Sequence, residues 1–257
     1  MQRLFLGVIL ASAVFVLLLG GGYLMGYRVG PGITLVKTHL LTITNLPRGA
    51  SVFTDYAPRG TSEASTMHIT LVPGQHTVLI SAKGYWPWDH VVTVPNNTNA
   101  TVHALMVPKV TSGTLLSGAK AKAARERVAA QTLPSATKPL VLENGCALIS
   151  LTDTNQIIAT PTTTPSCTPP PFLCVGGTCA PTVILSPVKK PTTIVPYPHR
   201  EDALLIAIGK TVYALSLDPR TPRTFAPVLK GIAPQLTTEQ NGTVVVVDKS
   251  AAYRLAL

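Results

Sequence analysis

Met67-His68-Ile69-Thr70-Leu71-Val72-Pro73-Gly74-Gln75-His76-Thr77-Val78-Leu79-Ile80 sets the fold class of this chain. Met67, Ile69 and Leu71 alternate with His68 and Thr70, the period-two pattern of a strand with one buried face. Pro73-Gly74 supplies turn chemistry, and a second β-patterned run follows from His76. The same grammar extends outward in both directions: HLLTIT at 39–44, SVFT at 51–54, HVVTV at 90–94 and NATVHALMV at 99–107 are short runs separated by Pro, Gly and Asn. Short strands at such spacing indicate an all-β sandwich or barrel, so the chain reads as mainly β.

Upstream the pattern changes. Leu4 to Met25 reads LFLGVILASAVFVLLLGGGYLM without a charge, and a spanning helix needs only about 20 apolar residues. Residues 1–31 are therefore expected to be a signal anchor with one transmembrane helix. A cleaved signal peptide has a shorter apolar core and a small-residue site at its end, whereas Ala11-Ser12-Ala13 lies mid-run. Arg3 on one side is balanced by Arg28 and Lys37 on the other, so charge bias says little about orientation. The short leader favours a cytoplasmic N-terminus and an extracytoplasmic C-terminal bulk, localised to the cell membrane with the lipid bilayer as a partner.

Charged residues make up 12% of the 257, with Pro at 23 and Gly at 19, an unusual composition for a cytosolic enzyme. The net charge of +10 does not imply nucleic acid. Arg48, Arg59 and Lys83 are matched by Asp55, Glu63 and Asp89, and the excess sits in Lys109, Lys120, Lys122, Arg125, Arg127 and Lys138 against Glu126. That run carries no base-stacking aromatics and no reading motif, so no nucleic-acid partner is expected. Attraction to an anionic lipid or wall polymer is the alternative use of such a tract.

One family resemblance rests on order and spacing between Thr38 and Pro108. A strand precedes Pro47-Arg48-Gly49-Ala50-Ser51-Val52, Leu71-Val72-Pro73-Gly74-Gln75-His76 leads into another, Gly84-Tyr85 is followed by Trp88, and a last strand ends near Leu105. This resembles a PEGA domain, whose name-giving Pro-Glu-Gly-Ala has Arg48 in place of Glu here. Asp55-Tyr56-Ala57-Pro58-Arg59-Gly60 also departs from the usual Asp-Gly hairpin. Gly26-Tyr27-Arg28 and Thr38-His39-Leu40-Leu41 are similar to the anchor-proximal region of membrane-tethered members. The resemblance implies that 38–108 is a small β-sandwich of exported proteins, a binding or structural module without catalytic residues.

Within it, Tyr85-Trp86-Pro87-Trp88 is the candidate contact surface. Tyr85 and Trp88 fall at core positions of the resemblance, while Trp86 falls at a variable one. An exposed Trp beside a turn can stack on a sugar or anchor a protein interface. His68, His76, His90 and His103 have no Cys, Asp or Glu at ligand spacing beside them, so no metal and no cofactor is expected.

Residues 109–139 are rich in Ala, Lys and Arg and predict a helical spacer, solvated because its apolar side chains are mostly alanine. Residues 140–198 read as a linker with short strands, with Thr and Pro repeated from Ala159 to Pro198. All four cysteines, Cys146, Cys167, Cys174 and Cys179, lie there at spacings that fit no zinc pattern. Disulfides are the expectation. Val175 to Thr178 lets Cys174 reach Cys179 and leaves Cys146 for Cys167, although four cysteines allow three connectivities.

Residues 199–257 contain DALLIAIGKTVYALSLD, TFAPVLKG and GTVVVVDKSAAYRLAL, two hairpins turning at Gly209-Lys210 and Asp248-Lys249-Ser250. They resemble a single β-propeller blade, an antiparallel β-meander, with room for a second if Leu140 to Thr160 adds strands; its edges must be covered by the rest of the chain or by another molecule, which leaves an oligomer open. Eleven scattered acids and no nucleophile-base or phosphate-loop motif argue against an enzyme. The expected function is a membrane-anchored extracytoplasmic binding or scaffold protein of the cell envelope, contacting wall glycan or surface protein. The alternative is a tethered structural subunit of an envelope assembly.

Overall fold

The alternating runs form strands that pair almost entirely antiparallel, giving a mainly β molecule. The computed structural model describes residues 13, 14, 16, 17, 20–29, 34–142, 145–162, 167–175, 177–220 and 222–257. Much of the expected anchor at Leu4 to Met25 lies outside them, and among the described residues no helix is long and apolar enough to cross a membrane. The chain divides into two compact units, Met1–Leu79 with Val91–Ala104, and Ile80–His90 with Leu105–Leu257.

The first unit begins with a small hairpin, β1 (Tyr27–Val29) with β2 (Leu35–Lys37). Strands β3 (His39–Thr44), β4 (Ser51–Thr54), β5 (Ala57–Thr61), β6 (Thr66–Leu71), β7 (Gly74–Ser81), β8 (Trp88–Val94) and β9 (Ala100–His103) follow, β7 from Ile80 and β8 up to His90 being counted with the second unit. They form two sheets, ordered β6-β3-β9 and β5-β4-β7-β8, with β3 and β9 parallel. Alternation settles the faces: Leu41, Ile43, Ile69 and Leu71 are buried in one sheet, Val52 and Val78 in the other. The Asp55-Tyr56 loop, which departs from Asp-Gly, is still a two-residue turn with both residues at positive φ, 51° and 62°. Asp55 holds it by accepting from Thr77 N–H at 3.0 Å and pairing with His76 Nδ1 at 2.6 Å, while His76 Nε2 lies 2.8 Å from Val72 O.

In the second unit, β10 (Gly113–Leu115) precedes helix α1 (Gly118–Ala130). Three four-stranded antiparallel sheets follow. β11 (Leu140–Val141), β12 (Ala147–Leu151), β13 (Ile157–Pro161) and β16 (Thr182–Leu185) make one, with the short pair β14 (Cys174–Val175) and β15 (Thr178–Cys179) between β13 and β16. β17 (Thr193–Pro196), β18 (Ala203–Ile208), β19 (Thr211–Ser216) and β20 (Phe225–Lys230) make the second. β21 (Pro234–Thr238), β22 (Val244–Asp248) and β23 (Ala251–Leu255) make the third, and β10 pairs along β23 to complete it.

Three readings change here. The short strands expected in the 140–198 linker make a full sheet from Leu140 to Leu185, because Ala147, Ile149, Leu151, Ile157, Ala159 and Ile184 share one apolar core with Leu204, Ile206 and Leu215 of the second sheet. The stretch 199–257 is not one meander, since its two hairpins belong to different sheets. The runs ALLIAI and VVVV are buried on both faces, as strands covered from two sides must be, and each needs more neighbours than one blade supplies. β21 packs against β17 and β18, with Leu236 N–H donating to Thr193 Oγ1 at 2.9 Å.

The third correction concerns α1, which is helical as expected but not fully solvated. Ala121, Ala124 and Val128 are buried against Val245, Val247 and Ala252. Alanine makes a usable packing face because it lets the helix approach the sheet closely. Arg125 donates to Ser250 O at 2.9 Å, and Arg127 lies 3.8 Å from Glu239, so part of the basic tract is spent on the third sheet. Ala124→Leu is expected to lower stability by about 1–3 kcal/mol by overpacking this contact, read as an earlier midpoint in urea. An exposed change on the same helix, Lys120→Ala, should leave the midpoint in place.

Candidate binding surface

The aromatic tetrapeptide lies on the turn between β7 and β8. Gly84 takes φ +85°, a conformation that glycine adopts without steric cost, and the turn then clasps the segment after β9. Trp86 N–H donates to Val107 O, and Lys109 N–H to Gly84 O, each at 2.8 Å. Tyr85 forms an isolated antiparallel bridge with Pro108.

The three aromatics have different fates. Trp88 is buried and stacks on His90 with ring centroids 5.4 Å apart. Tyr85 is half-buried. Trp86 keeps 36% of its surface in solvent, but its indole N–H donates to Pro227 O on β20 at 3.1 Å, and Lys109 Nζ sits 5.5 Å from its ring centroid. Thr111 adds a second tie, its hydroxyl donating to Val228 O at 2.8 Å. Trp86 thus stays partly exposed while its nitrogen is committed to β20.

Charged groups flank this surface. His90 Nε2 lies 3.5 Å from Asp218 Oδ2, and Asp218 also accepts from the Arg220 guanidinium and from Arg220 N–H. Burial pushes the Asp218 carboxyl up, but the Arg220 hydrogen bonds, with the charges of Arg220 and His90, outweigh it and hold the group below the usual carboxylate range. Arg220 is correspondingly held in its charged form by Asp218. Nearby, burial pushes the Tyr197 hydroxyl up, opposed by Arg200 and aided by Tyr85. Arg200 is itself paired with Asp202 at 2.6 Å.

A carboxyl whose folded pKa lies below its unfolded value stabilises the fold above the ordinary carboxylate range, and that stabilisation disappears as pH falls through the folded value. Asp218→Asn should therefore be less stable than the parent at neutral pH. The gap should close on acidification below the carboxylate range, as followed by thermal melts across pH.

Lys109, Asp218, Arg220 and the Tyr197–Arg200 pair carry no local signal that would join them to the aromatic turn, because their proximity is made by tertiary pairing. The histidines disperse: His68 meets Thr42 Oγ1 at 3.1 Å, His103 meets Thr44 Oγ1 at 2.6 Å, and His76 and His90 face carboxylates. Among the described residues no group of three or more His, Cys, Asp or Glu is placed to hold a metal ion. The cysteines pair as Cys146–Cys167 and Cys174–Cys179, the second across β14 and β15. The surface thus offers an aromatic ring face beside a cation, fit for stacking on an uncharged ring or burying against a protein. No protein-family model matches the chain, and no curated protein matches it at a significant level.

Proposed function

We propose that this chain is a membrane-anchored, extracytoplasmic scaffold or binding protein of the cell envelope, without catalytic activity. The observation that carries the exported placement is the pair of disulfides, which consume all four cysteines. Such bonds persist in oxidising compartments and are rare in reducing ones. The uncharged run from Leu4 to Met25 supplies the anchor. The two sheets of the first unit fit the PEGA-like β-sandwich that the resemblance implies, and each four-stranded sheet of the second unit resembles a propeller blade. The exposed part of Trp86 beside Lys109 is the contact point for wall glycan or a surface protein.

Protease added to intact cells should remove the C-terminal part, and alkaline extraction should leave the full chain with the membranes. A chain that resists external protease, or that purifies without detergent with its own start intact, overturns this reading. Trp86→Ala should lower retention on isolated cell wall, and unchanged retention removes the glycan contact. A second reading, a tethered subunit of an envelope assembly, is favoured by exposed Val141 and Val183 on the edge strands of the first blade-like sheet. Co-purification of one stoichiometric protein in detergent would select it.

A further inference from the structure

We propose that the β1–β2 hairpin and the helical turn before it form a seat that lies in the headgroup layer of an anionic bilayer. The proposal rests on the anchored reading above and adds a second, interfacial contact beyond the end of the apolar run.

Residues 20–24 are helical and stop at Gly26, whose φ of +84° turns the chain out of the helix. Apolar surface does not stop there. Leu24 is 88% exposed and, past the stop, Leu35 is 62% exposed, with Tyr23, Met25 and Tyr27 also open. A water-facing hairpin has no reason to display these side chains together. Yet a two-stranded hairpin cannot sit in hydrocarbon, because the backbone groups on its outer edges would go unsatisfied. The interface meets both demands, apolar contact below and hydrogen-bonding water and headgroups around the edges, and it is where tyrosines concentrate.

Polar groups of the segment fit the same depth. Register sets Tyr27 opposite Lys37 on one face of the hairpin, with Leu35 two residues before Lys37 on that same face. Arg28 lies over the Tyr23 ring, 3.5 Å from its centroid, and donates at 2.9 Å to Tyr23 O, a carbonyl at the helix end that would otherwise face poorly hydrated surroundings, and to Tyr27 O of β1. Gly26 O accepts from both Thr38 N–H and Thr38 Oγ1, which ties the far end of the hairpin back to the helix stop. Charge selects the lipid: beyond the apolar run, Arg28, Lys37 and Arg48 precede the first acid of the chain, Asp55. Cations without local acids are drawn to anionic headgroups.

The test uses the full chain carrying Leu35→Cys, labelled with an environment-sensitive fluorophore and reconstituted in phosphatidylcholine–phosphatidylglycerol vesicles with lipids brominated just below the headgroups. Tyr56→Cys, at the exposed turn between β4 and β5, serves as the reference. The Leu35 label should be quenched several-fold more than the Tyr56 label and emit to the blue of it. A chain that floats with the vesicles yet leaves both labels equally quenched overturns the seat while the anchor stands. A chain that does not float overturns the anchor, and the seat with it.

Discussion

Leu204→Ala and Ile206→Ala are each expected to lower the stability of the second unit by about 2–5 kcal/mol. Both side chains are fully buried on β18, in the core shared with Ile149, Ile157 and Ile184 of the preceding sheet. Truncation loses the transfer free energy of the removed carbons and leaves a cavity that close-packed neighbours refill only in part. Against a typical total of about 5–15 kcal/mol, such a loss removes much of the margin. Trp86 and Trp88 both lie in this unit and report its unfolding in denaturant. Midpoints within experimental error of the parent would mean that the two sheets do not share a core in solution.

Removing the Cys146–Cys167 bridge as the double serine variant should cost about 3 kcal/mol, and removing Cys174–Cys179 about 2 kcal/mol, on the loop-closure account. The bridges span 21 and 5 residues of chain, and the longer loop gives the unfolded chain more freedom to regain. The larger loss also falls where it matters more, because Cys146 is buried beside β12. Comparative melts of the two variants under non-reducing conditions check both magnitude and order. A larger loss from Cys174–Cys179 would contradict the argument.

Much of the β character is legible in the sequence, because β3, β6 and β7 alternate over enough residues for the period to stand out. The hairpin turns at Gly209-Lys210 and around Lys249 are readable for the same local reason. What escapes is what composition hides or distance creates. Thr and Pro repeat from Ala159 to Pro198 and give the region the look of a linker, and Ala147, Ile149, Ile157 and Ala159 do not read as one face until β12 and β13 are paired. In α1 the burying face is made of alanine, which carries too little hydrophobic contrast to mark a side. At the candidate surface, Trp86 is recognisable as a special residue, but its partner Pro227 belongs to a strand far along the chain. The sequence does not choose among the three connectivities of the four cysteines, and the structure pairs Cys146 with Cys167 and Cys174 with Cys179.

The strand that completes the third sheet has a consequence for biogenesis. β10 is synthesised well before β23, its partner, and two complete four-stranded sheets and two strands of the third must emerge between them. Until the final residues arrive, the apolar ribbon of β22 lacks its last neighbour, a state in which valine-rich segments seek strangers. Folding of this sheet would thus end with a slow, long-range closure, and deleting Ala251–Leu255 would trap the polypeptide at that step.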